Sequence, residues 1–292
     1  MPVFLRLCLL ALLCTSLPAG AAQVLASIRP LALIATAVMQ GQGEPAQLVP
    51  DGVSSHDYSL RPSDRVNLAR ANVVLWVGPA HERFLDRALS GSPATLLTVE
   101  SLPGINALPV RDIDSGAPLA KSVDGHLWLS PQNAVVIANA LADALAKREP
   151  AKAAQYRANA QAFAQGVQAL SARLKAELGG VNARRYIAYH DAYQYLEPTL
   201  GLQFRGALTQ GHDQSAGARH LALLSARVQQ EHIACLLAEP GFDKALAKRT
   251  FGDVNARFVS VDELFTQAPR TAQGYTAGLQ QMADGIRSCL VK

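Results

Sequence analysis

Short apolar runs alternate with helical patterns along this chain, and that alternation limits it to parallel β-α-β units. Residues 24–28 read as a strand, and Pro30–Ala35 opens a helix. A second short strand covers 47–49, and a helix opens at Pro62 and ends near Ala71. The run VVLWV (73–77) is a buried strand broken by Gly78-Pro79, a helix resumes over 81–89, and TLLTV (95–99) is another strand. The scheme then repeats. RYIAY (185–189), a weak strand at 203–205, IACLLA (233–238) and 258–261 are strands, with helices over 218–230, 243–250 and 275–290. The expected fold class is therefore α/β, with two parallel lobes of similar size.

An Ala-rich stretch separates the two series. Ser130-Pro131 is a helix start, with Ser as cap and Pro in the first turn, and that helix runs to about Lys147. Pro150 interrupts it and opens another, which continues to about Leu178 and spans roughly 42 Å at 1.5 Å per residue. Ala160, Phe163, Val167, Leu170 and Leu174 step by three and four, so they share one buried face. The expected division is 1–22 as export signal, 23–129 as a first lobe, 130–180 as a helical segment and 181–292 as a second lobe.

Arg6, the apolar run from Leu7 to Leu17, Pro18 and then Ala19-Gly20-Ala21-Ala22 form an export signal, with a mature start at Gln23. The apolar core is too short to span a bilayer, and no later run is long enough. The expected location is thus periplasmic. Cys8 and Cys14 leave with the signal, so the mature chain keeps Cys235 and Cys289. In an oxidising compartment this even pair forms a disulfide or stands as two buried thiols; no CxxC spacing supports zinc ligation by cysteine. Net charge is +4, from 27 Lys and Arg against 23 Asp and Glu, with no run longer than pairs such as Arg184-Arg185. Scattered basic residues of this kind leave no nucleic-acid footprint.

The chain has no nucleophile elbow, P-loop, dinucleotide fingerprint or HExxH motif. Its chemistry lies in histidines. His56 sits in the loop after the second strand, His126 just before the capped helix, and His190 at the end of RYIAY; Asp262 ends the strand at 258–261. Ligands of parallel α/β lobes bind at the carboxyl ends of strands. These four side chains, separated by 70, 64 and 72 residues, can meet only by folding. Three imidazoles and a carboxylate suit zinc in tetrahedral geometry. Asp57 and Asp191, each beside a candidate ligand, are candidate acceptors behind the imidazoles. His81 reads as a solvated helix start, His212 and His220 as residues flanking a polar loop, and His232 as surface. Tyr189, Tyr193 and Tyr195 read as packing of the cleft; Glu239 closes a strand or accepts from a ligand.

At these residues the chain resembles the metal receptors of bacterial ABC importers, and among them the zinc receptors of the ZnuA family. The matching segments are IRPLALIATAV, LVPDGVSSHDYSLRPSD, ANVVLWVGP, HLWLSPQNA, YHDAYQYLEP and CLLAEPGF, with the late Cys289. They cover nearly all of the mature chain, and HDYSLRPSD and HLWLSP are the most specific. The resemblance implies two Rossmann-like (β/α)4 lobes joined by one long rigid helix, with the metal in the cleft between them. It places the metal-binding histidines at His56, His126 and His190 and pairs Cys235 with Cys289. Histidine at 190, where manganese receptors carry glutamate, implies zinc as cargo.

Two departures follow. Residues 104–124 contain no histidine, which argues against a second metal site on that loop. Ser55 stands where some zinc receptors have glutamate, which leaves Asp262 or a water as fourth ligand, with Asp262 favoured. The expected function is zinc capture and delivery to a membrane permease, by a monomer that is neither an enzyme nor membrane-spanning. The alternatives are a manganese or iron receptor of the same family and, further off, a secreted zinc hydrolase. The hydrolase would need a general base beside an open coordination position, and no base motif is present.

Overall fold

The fold is that of a computed structural model, which describes residues 22–178, 184–211, 214–215, 217–242, 244–252 and 256–290. The expected export signal, apart from Ala22, and His212 lie outside the described residues. The first lobe runs β1 (Val24–Ala26), α1 (Arg29–Val38), β2 (Ala46–Gln47), α2 (Pro62–Arg70), β3 (Val73–Trp76), α3 (Arg83–Leu89) and β4 (Thr95–Thr98). Next come α4 (Pro131–Arg148) and α5 (Ala153–Leu178). The second lobe runs β5 (Arg184–Ala188), α6 (Glu197–Leu200), β6 (Leu202–Ala207), β7 (Thr209–Gly211), β8 (Gln214–Ser215), α7 (Ala218–Gln230), β9 (Cys235–Ala238), α8 (Lys244–Phe251), β10 (Arg257–Ser260) and α9 (Gly274–Leu290).

Each lobe holds a four-stranded sheet, ordered β2-β1-β3-β4 in one and β6-β5-β9-β10 in the other, and every pairing is parallel. The second order repeats the first strand for strand. In each, the order reverses beside the lobe's first strand, between β1 and β3 and between β5 and β9, and such reversals are where open α/β sheets hold ligands. The short helix α6 and the β7–β8 hairpin were not legible in the sequence.

Side chains alternate across each strand, and the alternation sorts them into two environments. Val24, Ala26, Val73, Leu75, Tyr186, Ala188, Cys235 and Leu237 face one continuous core. Leu25, Val74 and Trp76 face an outer cluster closed by α2 and α3, and Ile187 and Leu236 face another closed by α7 and α8. The continuous core takes in both lobes, together with α1, α4, α5 and α9. Helix α1 (RPLALIATAV) buries every residue except Thr36, because it is apolar on all sides and has helices as well as a sheet around it. Helix α5 buries Tyr156, Ala160, Phe163, Val167, Leu170, Leu174 and Leu178, the face expected from the spacing. At 26 residues it is about 39 Å long and joins the lobes.

Because Cys235 points into the shared core, it meets Cys289 of α9, and the two form a disulfide with a sequence separation of 54. Arg29 also ties the lobes together. Its guanidinium donates to the carbonyls of Phe265 and Ala268 and to Asp51 Oδ2.

Helix α3 begins at Arg83 rather than at His81. After β3, Gly78 adopts a φ of +132°, and a Cβ there would come 2.4 Å from the Glu100 side chain. The N–H groups of His81 and Glu82 close onto the Gly78 carbonyl, and Glu82 Oε2 accepts from Val77 N at 2.7 Å. Burial raises the Glu82 carboxyl to about 7. A carboxyl that holds its proton more tightly when folded stabilises the chain fully below about pH 4.5, and that contribution is lost as pH rises through about 7. Glu82→Gln is therefore expected to raise the melting temperature at pH 8.5. The gain is worth roughly 3 kcal/mol and falls below about 1 kcal/mol near pH 5. Thermal melts at the two pH values check this; equal shifts at both would exclude it.

Candidate metal centre

The carboxyl ends of both sheets face one cleft. His56, His126 and His190 meet there, each offering a ring nitrogen, with these atoms all within 4.8 Å of one another. His126 and His190 are buried and His56 is half-buried.

His56 is carried by the loop that follows β2. The loop leaves the sheet after Leu48 N and Val49 N bond to Ala26 O and Ser27 O. It returns through Tyr58, whose hydroxyl donates to Asp64 Oδ2 at 2.7 Å, and through Arg61 N, which donates to the same oxygen at 2.8 Å.

His126 sits where the two lobes are stitched together. Its Nδ1 lies 2.7 Å from Asp124 Oδ1, and Gln194 Nε2 donates to Asp124 Oδ2 at 3.0 Å. Tyr195 Oη donates to Asp124 O at 2.8 Å. The turn that follows is pinned by Trp128, which donates to Glu263 O at 2.8 Å, and by Tyr275, which donates to Trp128 O at 2.7 Å. Ser130 then caps α4, accepting from Asn133 N at 3.2 Å. Burial opposes the Asp124 charge, but His126 and Gln194 outweigh it and hold the carboxyl below its ordinary value.

His190 follows β5, and its Nδ1 pairs with the buried carboxylate of Glu239 at the end of β9. Burial opposes the His190 cation, but Glu239, then Glu263 and Asp191, outweigh it and raise the imidazole above its usual value. Burial, and after it Glu239, pushes Glu263 up to about 8, with His190 pulling the other way.

The two Nδ1–carboxylate pairs set the tautomers. With Nδ1–H donated to Asp124 and to Glu239, each ring turns its Nε2 toward the cleft. Those two Nε2 atoms stand 3.1 Å apart. Two lone pairs cannot face each other at that distance without a shared proton or a cation. Nitrogens bound to one tetrahedral zinc, at about 2.0–2.1 Å each, stand about 3.3–3.4 Å apart. The His126 and His190 imidazoles therefore fit zinc with little rearrangement.

Asp262 is not brought into the group. It lies two residues after β10 and lines a cavity of about 240 Å³ together with Gly52–Ser55, Glu239 and Glu263. Its carboxylate caps the next turn: Oδ1 accepts from Leu264 N at 3.0 Å, and Oδ2 accepts from Thr266 N at 2.6 Å and Thr266 Oγ1 at 2.5 Å.

Three sequence expectations change, and one acceptor was missed. Asp191 does not stand behind His190; its two oxygens grip Arg111, at 2.7 Å from Nε and 2.5 Å from Nη2. Arg111 comes from the 104–124 segment of the first lobe, also donates to Glu197 at 3.0 Å, and stacks over Phe204. Asp124, two residues before His126, was overlooked as an acceptor; the Asp-x-His spacing before the capped helix was the available clue. His220 is buried between Asp114 and the Ala207 carbonyl, so its role is to fasten the 104–124 segment to the second lobe. His81 is no solvated helix start: it is 3% exposed and lies against the ring of His56. His232 is exposed, as expected.

The family described as zinc-uptake complex component A, periplasmic (ZnuA), matches residues 24–289. The high-affinity zinc uptake system protein ZnuA of Brucella abortus is 30% identical over 328 aligned residues, covering 99% of this chain and 98% of that protein. The Yersinia pestis protein of the same name is also 30% identical, over 93% of this chain and 92% of its own length. A crystal structure of ZnuA superposes with a TM-score of 0.77 at 22% identity, over 91% of this chain and 99% of that one. The solute-binding protein FpvC of Pseudomonas aeruginosa, in complex with Mn2+, gives 0.79 at 21%, over 92% and 98%. At such identities the structural matches establish the two-lobed fold. The sequence match runs from the first strand to the disulfide-bonded Cys289, and by it the chain belongs to the ZnuA family of zinc-uptake components.

Proposed function

We propose that this chain is the zinc receptor of an ABC importer. It captures one zinc ion in the periplasm and passes it to a membrane permease. Two Nε2 atoms 3.1 Å apart, each on a ring backed by a buried carboxylate, carry this reading. His56, His126 and His190 supply three nitrogens, and Asp262 or a water supplies the oxygen. Asp262 Oδ1 accepts one N–H and keeps a lone pair for a cation entering from the cavity. No bond of a substrate is made or broken, so the chain works as a receptor and not as an enzyme. The relatives' names and the match to a periplasmic component support the cargo and the compartment. No helix of the described residues is long and apolar enough to cross a membrane, so import needs a separate permease. Residues 1–22 act as the export signal, 23–129 and 181–292 as lobes, and 130–180 as the helical segment between them; the working form is a monomer.

The residues do three things. Asp124 and Glu239 orient their imidazoles toward the metal. The shared core and Arg111 hold the two lobes' contributions in register before zinc arrives. The buried walls strip water from the cation, so nitrogen donors replace its hydration shell.

Protein purified without chelators is expected to carry close to one equivalent of zinc by elemental analysis. It should also keep that zinc against excess manganese. Retention of manganese in preference to zinc would overturn the cargo. Affinity is also expected to fall as pH falls, by up to about tenfold per unit for each proton displaced. His190 holds its proton to higher pH than a free imidazole, so the decline begins above the usual imidazole range. Competition titrations at pH 6 and pH 8 measure it; equal affinities would refute imidazole ligation.

A further inference from the structure

His81 follows β3 at the point where the first sheet reverses order, and no role in metal capture attaches to it so far. Its ring centroid lies 4.0 Å from that of His56, 5.4 Å from that of His126 and 4.9 Å from that of Trp128. Its Nε2 is hydrogen-bonded to Ser55 Oγ at 2.8 Å, and Ser55 is the buried neighbour of His56. On the other side the ring rests on the backbone of Gly125. A Cβ at that position would come 2.7 Å from the His81 Cβ and 2.9 Å from its Nδ1. His81 is thus wedged between the loop bearing His56 and the turn bearing His126.

His126 and His190 follow segments tied firmly into the fold, whereas His56 rides a loop and is half-buried. We propose that His81 is a positioning residue of the metal centre: its ring and its bond to Ser55 hold the His56 loop at the distance from His126 that zinc needs. The inference rests on the zinc reading above. His81 itself is outside the group of converging ring nitrogens, so it acts through His56 rather than on the cation.

Zinc affinity, metal release rate and the visible spectrum of the Co2+-loaded protein test this on the full mature chain. His81→Ala is expected to weaken zinc binding by about 10- to 100-fold and to speed release, with one metal still bound. The Co2+ bands should stay where they are in wild type, because the donor set is unchanged. His81→Phe keeps the wedge without the hydrogen bond and should lose less than His81→Ala. Ser55→Ala removes only the bond and should lose at least about threefold. If His81→Ala does not fold, these two variants carry the test, and wild-type affinity in both overturns the proposal. Affinity of His81→Ala within twofold of wild type also overturns it. So does a shift of the Co2+ bands, which would make His81 a ligand. Wild-type protein that binds no zinc would instead sink the zinc reading, and this inference with it.

Discussion

His126→Ala is expected to weaken zinc binding by about two to three orders of magnitude. A four-ligand zinc site is worth about 10–16 kcal/mol, so one ligand carries roughly 3–4 kcal/mol. His126 is the ligand for which this holds most directly. Its Nε2 stands 3.1 Å from that of His190, and its Nδ1 is engaged by Asp124 at 2.7 Å. The substitution removes a nitrogen and leaves the buried Asp124 carboxylate without its imidazole, so the metal-free protein also loses stability. Calorimetric titration reads the affinity. The rise in melting temperature on adding zinc gives an independent measure, since it depends on binding to the folded state alone. His56→Ala and His190→Ala should behave alike, and Asp262→Ala should lose less, because part of that carboxylate is spent on capping the turn to Thr266. Unchanged affinity in all three histidine variants would falsify the ligand set.

The second large effect concerns the disulfide. Breaking Cys235–Cys289 by reduction, or by replacing both cysteines with serine, is expected to cost about 4 kcal/mol for a loop of 54 residues. That corresponds to a drop of roughly 10 °C in melting temperature. The bond ties β9 to the last turn of α9, a helix that packs on α1, α5, β9 and β10. Because α9 touches elements of both lobes, loosening it should also weaken zinc binding and not stability alone. Melts with and without reductant, in wild type and in the double serine variant, separate the bond from nonspecific effects of the reductant. No change on reduction would show that the shared core holds α9 unaided.

Much of this architecture was legible in the chain. The alternation of apolar runs with helices located both sheets, and the face of α5 was read residue by residue. Those features depend on nearest neighbours and on periods of two and 3.6, which a sequence displays directly. The three histidines were legible as residues of a strand end and of loops beside strands and a capped helix. Their partners were not. Glu239 was one of two readings for its strand end, Asp191 was assigned to the wrong neighbour, and Asp124 was passed over. Glu239 lies after β9, a strand adjacent in space to β5 with some 50 residues between them, whereas Asp124 was a local partner two residues from its histidine.

His81 shows the boundary best. By sequence it is the second residue after Gly78-Pro79, polar and next to a glutamate, which reads as an exposed helix start. The fold turns it inward because Gly78 takes a positive φ and Glu82 folds back onto Val77 N, which delays α3 to Arg83. The sequence by itself determined two parallel α/β series, a long helix between them and histidines at a strand end and in loops beside strands and a capped helix, because these are local patterns of burial and backbone preference. The tertiary structure alone decided which carboxylate backs which imidazole, that Asp262 caps a turn beside the cluster, and that a fourth imidazole lies against His56. The physical reason is that hydrogen bonds and metal coordination act over about 3 Å, a distance set by the packing of segments far apart in the chain.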